Sequence, residues 1–430
     1  MWHAPVYDRR ETAKPRPLRI AMNIDAPAPA RGSYAAGFES VARTFAEQLE
    51  SGQEVGAALS VYHRGRQVVS LFGGLADVRE RRAWQRDTRI CVFSVTKGFA
   101  AIGMHLLAAR GRFDWDEPVA TYWPKFAAGG KEAITVRALL NHRAGLPYLE
   151  TPVSLAECLV ARSPKLIAAL EAQVPIWAPG TRQAYHAVTY GMYVSELFAR
   201  LAGEPLGVFL QREWFDVVGS DARLGTPAEE DPRHATLYPP SLGERVIQVL
   251  GLAAATPGAP EVTVARSLFS RDSVPRRAFS NPAPGLRGPL AYNDVAVRRA
   301  ELAWGSATAS ADGVARAYLP FAGGGRYEDQ ALFAPETLAP LHVRQSWSTC
   351  DETLKKPLGW SQGFLKEERH QFCPNTESFG HAGMGGALGW CDPIAGVTIG
   401  YVVNRMDARV RSPRCLALCR ALYESPPLRG

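Results

Sequence analysis

Residues 91–111 run CVFSVTKGFAAIGMHLLAARG. Phe99, Ile102, Leu106 and Leu107 recur at helical spacing, and Gly111 closes the run, so the spacing predicts a helix with one apolar stripe. Ser94 stands at its start. Lys97, three residues on, shares its face. Apolar surroundings would favour a neutral amine on Lys97, and a neutral amine within reach of a serine can take its proton. The helix N-terminus adds backbone N–H groups aimed at a developing negative charge. Ser-x-x-Lys at the mouth of a buried helix thus offers a nucleophile, a base and half an oxyanion hole. Alone it is weak evidence, because serine is also a common N-cap.

Two further stretches extend the pattern. In APGTRQAYHAVTYGMY (178–193) a Pro-Gly turn precedes Tyr185, which in turn precedes a helix. Its hydroxyl could point into a cleft, where a neighbouring lysine would favour the phenolate as a second base. A packed aromatic with a bonded hydroxyl is the plainer alternative. In FGHAGMGGALGWCDP (379–393) a polar residue, two small ones and a strand could form the far wall of a site. The Met384 N–H could supply the second oxyanion donor; the alternative is a glycine-rich turn entering a strand.

A competing serine lies in GWSQG (359–363), which matches Gly-x-Ser-x-Gly. A nucleophile elbow needs a strand before Ser361, a helix after it, and then an acid and a histidine further on. The strand is plausible. The helix is not, because LKEERHQFCPNTE is charged, short and stopped by Pro374. Ser361 therefore reads as a strand residue among small neighbours.

The rest of the chain supplies the frame. Residues 35–51 read as an amphipathic helix, and GAALSVYHRGRQVVSLFGG as a hairpin turning at Gly65. A second hairpin, GALGWCDPIAGVTIGYVVNRM, lies near the other end, followed by a helix from about Pro413 to Tyr423. Hairpins at both ends imply one antiparallel sheet built from both ends of the chain and flanked by helices. Residues 22–93 and 300–430 then form an α/β domain, and 94–299 a mainly helical insertion. Residues 254–290, rich in Pro, Gly and Ser, read as a long irregular loop. Residues 1–21 read as a disordered extension, with Met22 as an alternative start.

Composition sets limits. With 46% apolar and 21% charged residues the chain is of ordinary globular type. Its net charge of +7 comes from scattered arginines, densest at Arg405, Arg409, Arg411 and Arg414, which read as a solvated surface and not a nucleic-acid face. Seven cysteines show neither CxxC nor a Cys/His metal pattern, which points to reduced thiols and a cytoplasmic chain. No apolar run could span a bilayer and no leader is seen, so no membrane partner is expected.

Taken in order, Ser94-Val95-Thr96-Lys97, Tyr185-His186-Ala187 and His381-Ala382-Gly383 resemble the three motifs of the serine β-lactamase and penicillin-binding-protein superfamily. LLNHRAGLP and GRFDWDEPVATYWPKF extend the likeness from about residue 35 onward. Within it the chain is most similar to the class C branch and to the family VIII carboxylesterases, where Gly-x-Ser-x-Gly matches are non-catalytic. The resemblance implies a serine acyl-enzyme with Ser94, Lys97 and Tyr185 catalytic, backbone N–H groups of Ser94 and Met384 as oxyanion donors, and no cofactor or metal. It also makes Tyr148 and Trp360 candidates to line an acyl pocket, with core packing as the alternative. The expected substrate is a small ester.

Two departures bear on substrate. Ala187 stands where β-lactamases carry an Asn that orients the lactam. His381, mostly neutral at pH 7, stands where they carry a Lys that holds a carboxylate. Both changes favour neutral esters, with β-lactam or D-amino-acid peptide hydrolysis, and acyl transfer, as alternatives. His63, His105 and His142 read as structural or surface residues. The sequence leaves the oligomeric state open.

Overall fold

The computed structural model describes residues 29–256, 258–283, 285–366 and 370–429. The expected disordered extension and Met22 lie outside them. The strands are β1 (Arg31–Tyr34), β2 (Gly56–His63), β3 (Arg66–Asp77), β4 (Ser346–Ser348), β5 (Leu358–Ser361), β6 (Phe364–Lys366), β7 (Phe379–Ala382), β8 (Leu388–Asp392) and β9 (Val397–Val403). They form one antiparallel sheet in the order β1-β3-β2-β9-β8-β7-β6-β5-β4, with Arg82–Ala83 as a tenth strand on β3. The two ends of the chain meet at β2 and β9, where Val61 faces Ile399 and Leu59 faces Tyr401.

The principal helices are α1 (Glu39–Glu50), α2 (Val95–Ala109), α3 (Thr189–Ala202), α4 (Leu242–Ala255), α5 (Pro260–Ser267), α6 (Val274–Ser280), α7 (Ala311–Ala317) and α8 (Pro413–Tyr423). Alternation sorts the sheet's side chains into two cores. Val397, Ile399 and Tyr401 pack with Phe45 and Leu49 of α1 and Leu418 and Leu422 of α8. Val402 of the other face joins Val314 of α7 and the apolar side of α2. Cys415 and Cys419, one turn apart on α8, are both buried as thiols.

Two expectations are corrected here. Residues 254–290 are no irregular loop: the end of α4, all of α5 and α6, and a 3-10 stretch over Gly285–Asn293 occupy them. Two of the prolines that suggested a loop instead start helices, Pro260 in the first turn of α5 and Pro275 in that of α6, where Ser273 also caps Arg276 N–H. The arginine cluster is not uniformly solvated. Arg414 is buried and bonds Glu54 at 2.7 Å, which clamps α8 to the residues just after α1. Among the described residues no helix is long and apolar enough to cross a membrane, and no group of three or more His, Cys, Asp or Glu could hold a metal.

The sheet and α7 touch backbone to backbone at Gly400, where a Cβ would fall 2.0 Å from the Ala311 carbonyl oxygen. Gly400→Ala is expected to lower stability by about 1–3 kcal/mol in urea unfolding. Gly243→Ala, in α4 with open space around it, is expected to leave the midpoint unchanged or raise it.

Candidate active site

The site forms where α2 begins beside β7. Phe93, just before it, sits at φ 47°, a conformation uncommon for a bulky residue. The chain then turns tightly into α2: Val95, Thr96 and Lys97 N–H groups bond the carbonyls of Val92, Phe93 and Ser94. Ser94 spends no side-chain hydrogen bond on capping the helix. Its Oγ is instead the meeting point of two other groups. Lys97 Nζ lies 3.1 Å away, and the Tyr185 hydroxyl donates to it at 2.8 Å.

Lys97 is fully buried, and no carboxylate ion-pairs with it among the described residues. Burial holds its amine well below the ordinary lysine range. The neutral amine donates one N–H to the Trp304 carbonyl at 2.7 Å, which leaves its lone pair free to accept the Ser94 proton.

Tyr185 departs from expectation. With Lys97 neutral there is no adjacent ammonium to favour a phenolate, and burial pushes the phenol's pKa well up, only partly offset by the bond to Ser94 and the charge of Arg411. The resting phenol is therefore protonated and acts as a donor. Trp360 lies parallel to its ring at 5.6 Å between centroids, and His142 packs edge-on against both rings. Trp360, 1% exposed, is thus the support beneath Tyr185 and no wall open to substrate.

The backbone of Tyr185 is fixed by a residue that motif reading missed. Asp351 is buried, and its Oδ1 accepts the N–H of Tyr185 at 3.1 Å together with those of Thr353 and Leu354. Burial, only partly opposed by these donors, raises its pKa to about 6. An Asp accepting N–H groups two and three residues on is a local turn signature; the link to Tyr185 had no local signal. His142, read as structural or surface, is fully buried at φ 60°, and its Nδ1 accepts the His186 N–H at 3.0 Å. It therefore braces the same segment.

The third motif approaches Ser94 from the sheet. A Cβ on Gly383 would fall 2.3 Å from the Val92 carbonyl oxygen, so only glycine lets the strand end pass this close to the nucleophile turn. Gly383 also closes a turn with Gly386 and Ala387, which sets Met384 at the rim. His381 is buried with Nδ1 2.8 Å from the Ala382 carbonyl oxygen, and its ring lies 6.1 Å from that of Tyr185. Burial holds it neutral. Ala382 is buried beside it, and Ala187 follows Tyr185 with no amide to offer. Tyr148 is tied to α6: its hydroxyl accepts from Arg277 at 3.0 Å, and that guanidinium covers its ring.

Ser361 is elsewhere in role as well as place. It ends β5, pairs with Phe364 of β6, and is followed by Gln362 and Gly363, both at positive φ. That is a two-residue hairpin turn, not a strand-to-helix elbow. Its Oγ donates to the Pro340 carbonyl at 3.0 Å.

Comparison with known proteins agrees with this geometry. The family model described as Beta-lactamase matches residues 41–418. The chain is similar to the Esterase/beta-lactamase LipL of Mycobacterium tuberculosis, 31% identical over 395 residues, covering 90% of this chain and 86% of that protein. A solved family VIII carboxylesterase superposes with a TM-score of 0.79 at 32% identity, covering 92% of this chain and 99% of its own. EstA from Arthrobacter nitroguajacolicus Rue61a superposes at 0.76 with 31% identity, covering 91% and 97%.

A buried neutral amine has a thermodynamic signature. The folded-state pKa of Lys97 lies below its unfolded value, so its contribution to stability is complete only above about pH 10.4 and is lost as pH falls towards the folded pKa. Lys97→Met is expected to raise the urea midpoint at pH 7, with the gain shrinking as pH approaches 10. A gain that does not change with pH would show that the lysine is charged in the fold.

Proposed function

The chain belongs to the Beta-lactamase family, and within it we propose a carboxylesterase that hydrolyses short-chain acyl esters through a serine acyl-enzyme. The observation that carries this reading is the convergence of Lys97 and Tyr185 on one oxygen, Ser94 Oγ, at 3.1 and 2.8 Å. Lys97 accepts the serine proton as Oγ attacks the ester carbonyl. The negative charge on the carbonyl oxygen sits between the N–H groups of Ser94 and Met384. Tyr185, already protonated and aimed at the reacting oxygen, passes its proton to the departing alkoxide, and the proton held by Lys97 restores the phenol. Water then enters from the leaving-group side and gives a proton to Lys97; as its oxygen displaces Ser94 Oγ, the pair returns a proton to that oxygen, and the acid leaves.

The preference for esters follows from what the walls lack. Neutral His381 offers no fixed cation for a lactam carboxylate, and Ala187 offers no amide to orient a lactam. The relative LipL is named both esterase and β-lactamase, which supports a weak second activity on cephalosporins. The unpaired state of all seven cysteines supports a cytoplasmic location.

The test is hydrolysis of p-nitrophenyl butyrate by wild type, Ser94→Ala, Lys97→Ala and Ser361→Ala. Loss of about a thousandfold or more in kcat is expected for Ser94→Ala and Lys97→Ala, against less than about tenfold for Ser361→Ala. An inactive but folded Ser361→Ala beside a working Ser94→Ala would reverse the assignment, and near-normal turnover by Lys97→Ala would remove it as the base.

A further inference from the structure

The segment from α4 to α6 buries Val262 and Ala278 but leaves most of its larger apolar side chains exposed. On α4, Leu242, Val246 and Leu250 recur every four residues and are 79%, 48% and 64% exposed, with Ile247 beside them. The charged residues of that helix are turned to the protein instead. Glu244 bonds back to the Ser241 N–H and lies 3.8 Å from Arg405, and Arg245 donates to the Pro240 carbonyl. This inverts the amphipathic pattern of a surface helix. From the last turn of α5 into the link to α6 the chain reads Arg266-Ser-Leu-Phe-Ser-Arg271, with Phe269 89% exposed, Leu268 also exposed, and an exposed arginine at each end. Residues 241–290 hold six arginines against three carboxylates.

We infer that this segment is a docking surface for an anionic lipid–water interface, into which the α4 stripe and Phe269 insert while Arg266 and Arg271 meet the head groups. Exposed apolar side chains with exposed arginines on either side of Leu268 and Phe269 suit an interface that is oily within and negatively charged at its rim. The same charge argues against a second copy of the chain, since a two-fold contact would set two positively charged segments face to face. The expectation of no membrane partner rested on the lack of a spanning segment, and a helix lying on the surface needs none. The segment is also tied to the body of the protein: Glu261 of α5 accepts the Val410 N–H, and Arg277 of α6 donates to Tyr148, the residue the sequence offered for an acyl pocket. If the esterase reading holds, docking places the cleft beside esters dissolved in the lipid; docking itself does not depend on that reading.

The experiment is sedimentation of the full chain with vesicles of phosphatidylcholine alone or mixed with phosphatidylglycerol, which reads binding without catalysis. Wild type is expected to pellet with the anionic vesicles, less with the neutral ones, and less as salt rises. The double substitution Leu250→Ser with Phe269→Ser is expected to weaken partitioning by roughly tenfold or more, with vesicle-free hydrolysis of p-nitrophenyl acetate unchanged. Arg266→Gln with Arg271→Gln, which leaves the apolar residues in place, is expected to erase the preference for anionic vesicles. The inference is overturned if wild type stays in the supernatant, if both double variants bind as wild type does, or if the apolar substitutions instead dissolve a concentration-dependent dimer.

Discussion

A primary amine held away from water at the foot of α2 is the constraint around which this molecule is arranged. An ammonium there would lack a counter-ion among the described residues, so the interior keeps Lys97 neutral, and neutrality is what gives it a lone pair for Ser94. The Trp304 carbonyl satisfies one N–H and anchors the amine beside Ser94 Oγ. Everything that dries this spot therefore also tunes it: the apolar side of α2, the close pass of β7, and the rings of Tyr185, Trp360 and His142. The cost is borne in stability, which is common where a reactive group is kept in an environment that opposes its charge.

Tyr185 illustrates how one neighbour's protonation decides another's. A lysine beside a tyrosine suggests a phenolate only if the lysine carries charge. Here both groups are buried and both are neutral, so the division of labour is an acceptor and a donor sharing one oxygen. The positions of these groups are secured from behind. Asp351 takes the backbone N–H of Tyr185, and Trp360 lies flat beneath its ring. Neither needs to touch substrate to matter, because a shift of the phenol away from Ser94 Oγ would break a 2.8 Å contact.

What could be read from the sequence was what is local. The hairpins, the helix after Ser94 and the C-terminal helix follow from periodicity and turn residues, and the three motifs could be ordered along the chain. The poor elbow at Ser361 was also legible, because a charged, proline-stopped stretch cannot supply the helix that such a serine requires. What could not be read was what crosses the chain. The reach of Asp351 to Tyr185, of the Trp304 carbonyl to Lys97, and of Trp360 under Tyr185 all depend on the packing of distant segments. Residues 254–290 failed for a different reason: proline begins helices as readily as it prevents them, and composition alone does not distinguish the two. The exposure of the α4 stripe was hidden likewise, since an apolar helix gives no sign of which side will be left uncovered.

The joining of β2 to β9 bears on how the protein is made. Gly56 and Asn404, bonded across this seam, are 348 residues apart in the sequence. A ribosome releases β2 and β3 early, then all the helical middle, and only near the end the strand that covers β2. Through most of synthesis the nascent hairpin therefore carries an open strand edge, a template for pairing with the wrong neighbour. The finished sheet hides that edge in its interior. Birth is thus the vulnerable stage of this chain, and a product cut short before Val397 would be left with the seam unsewn.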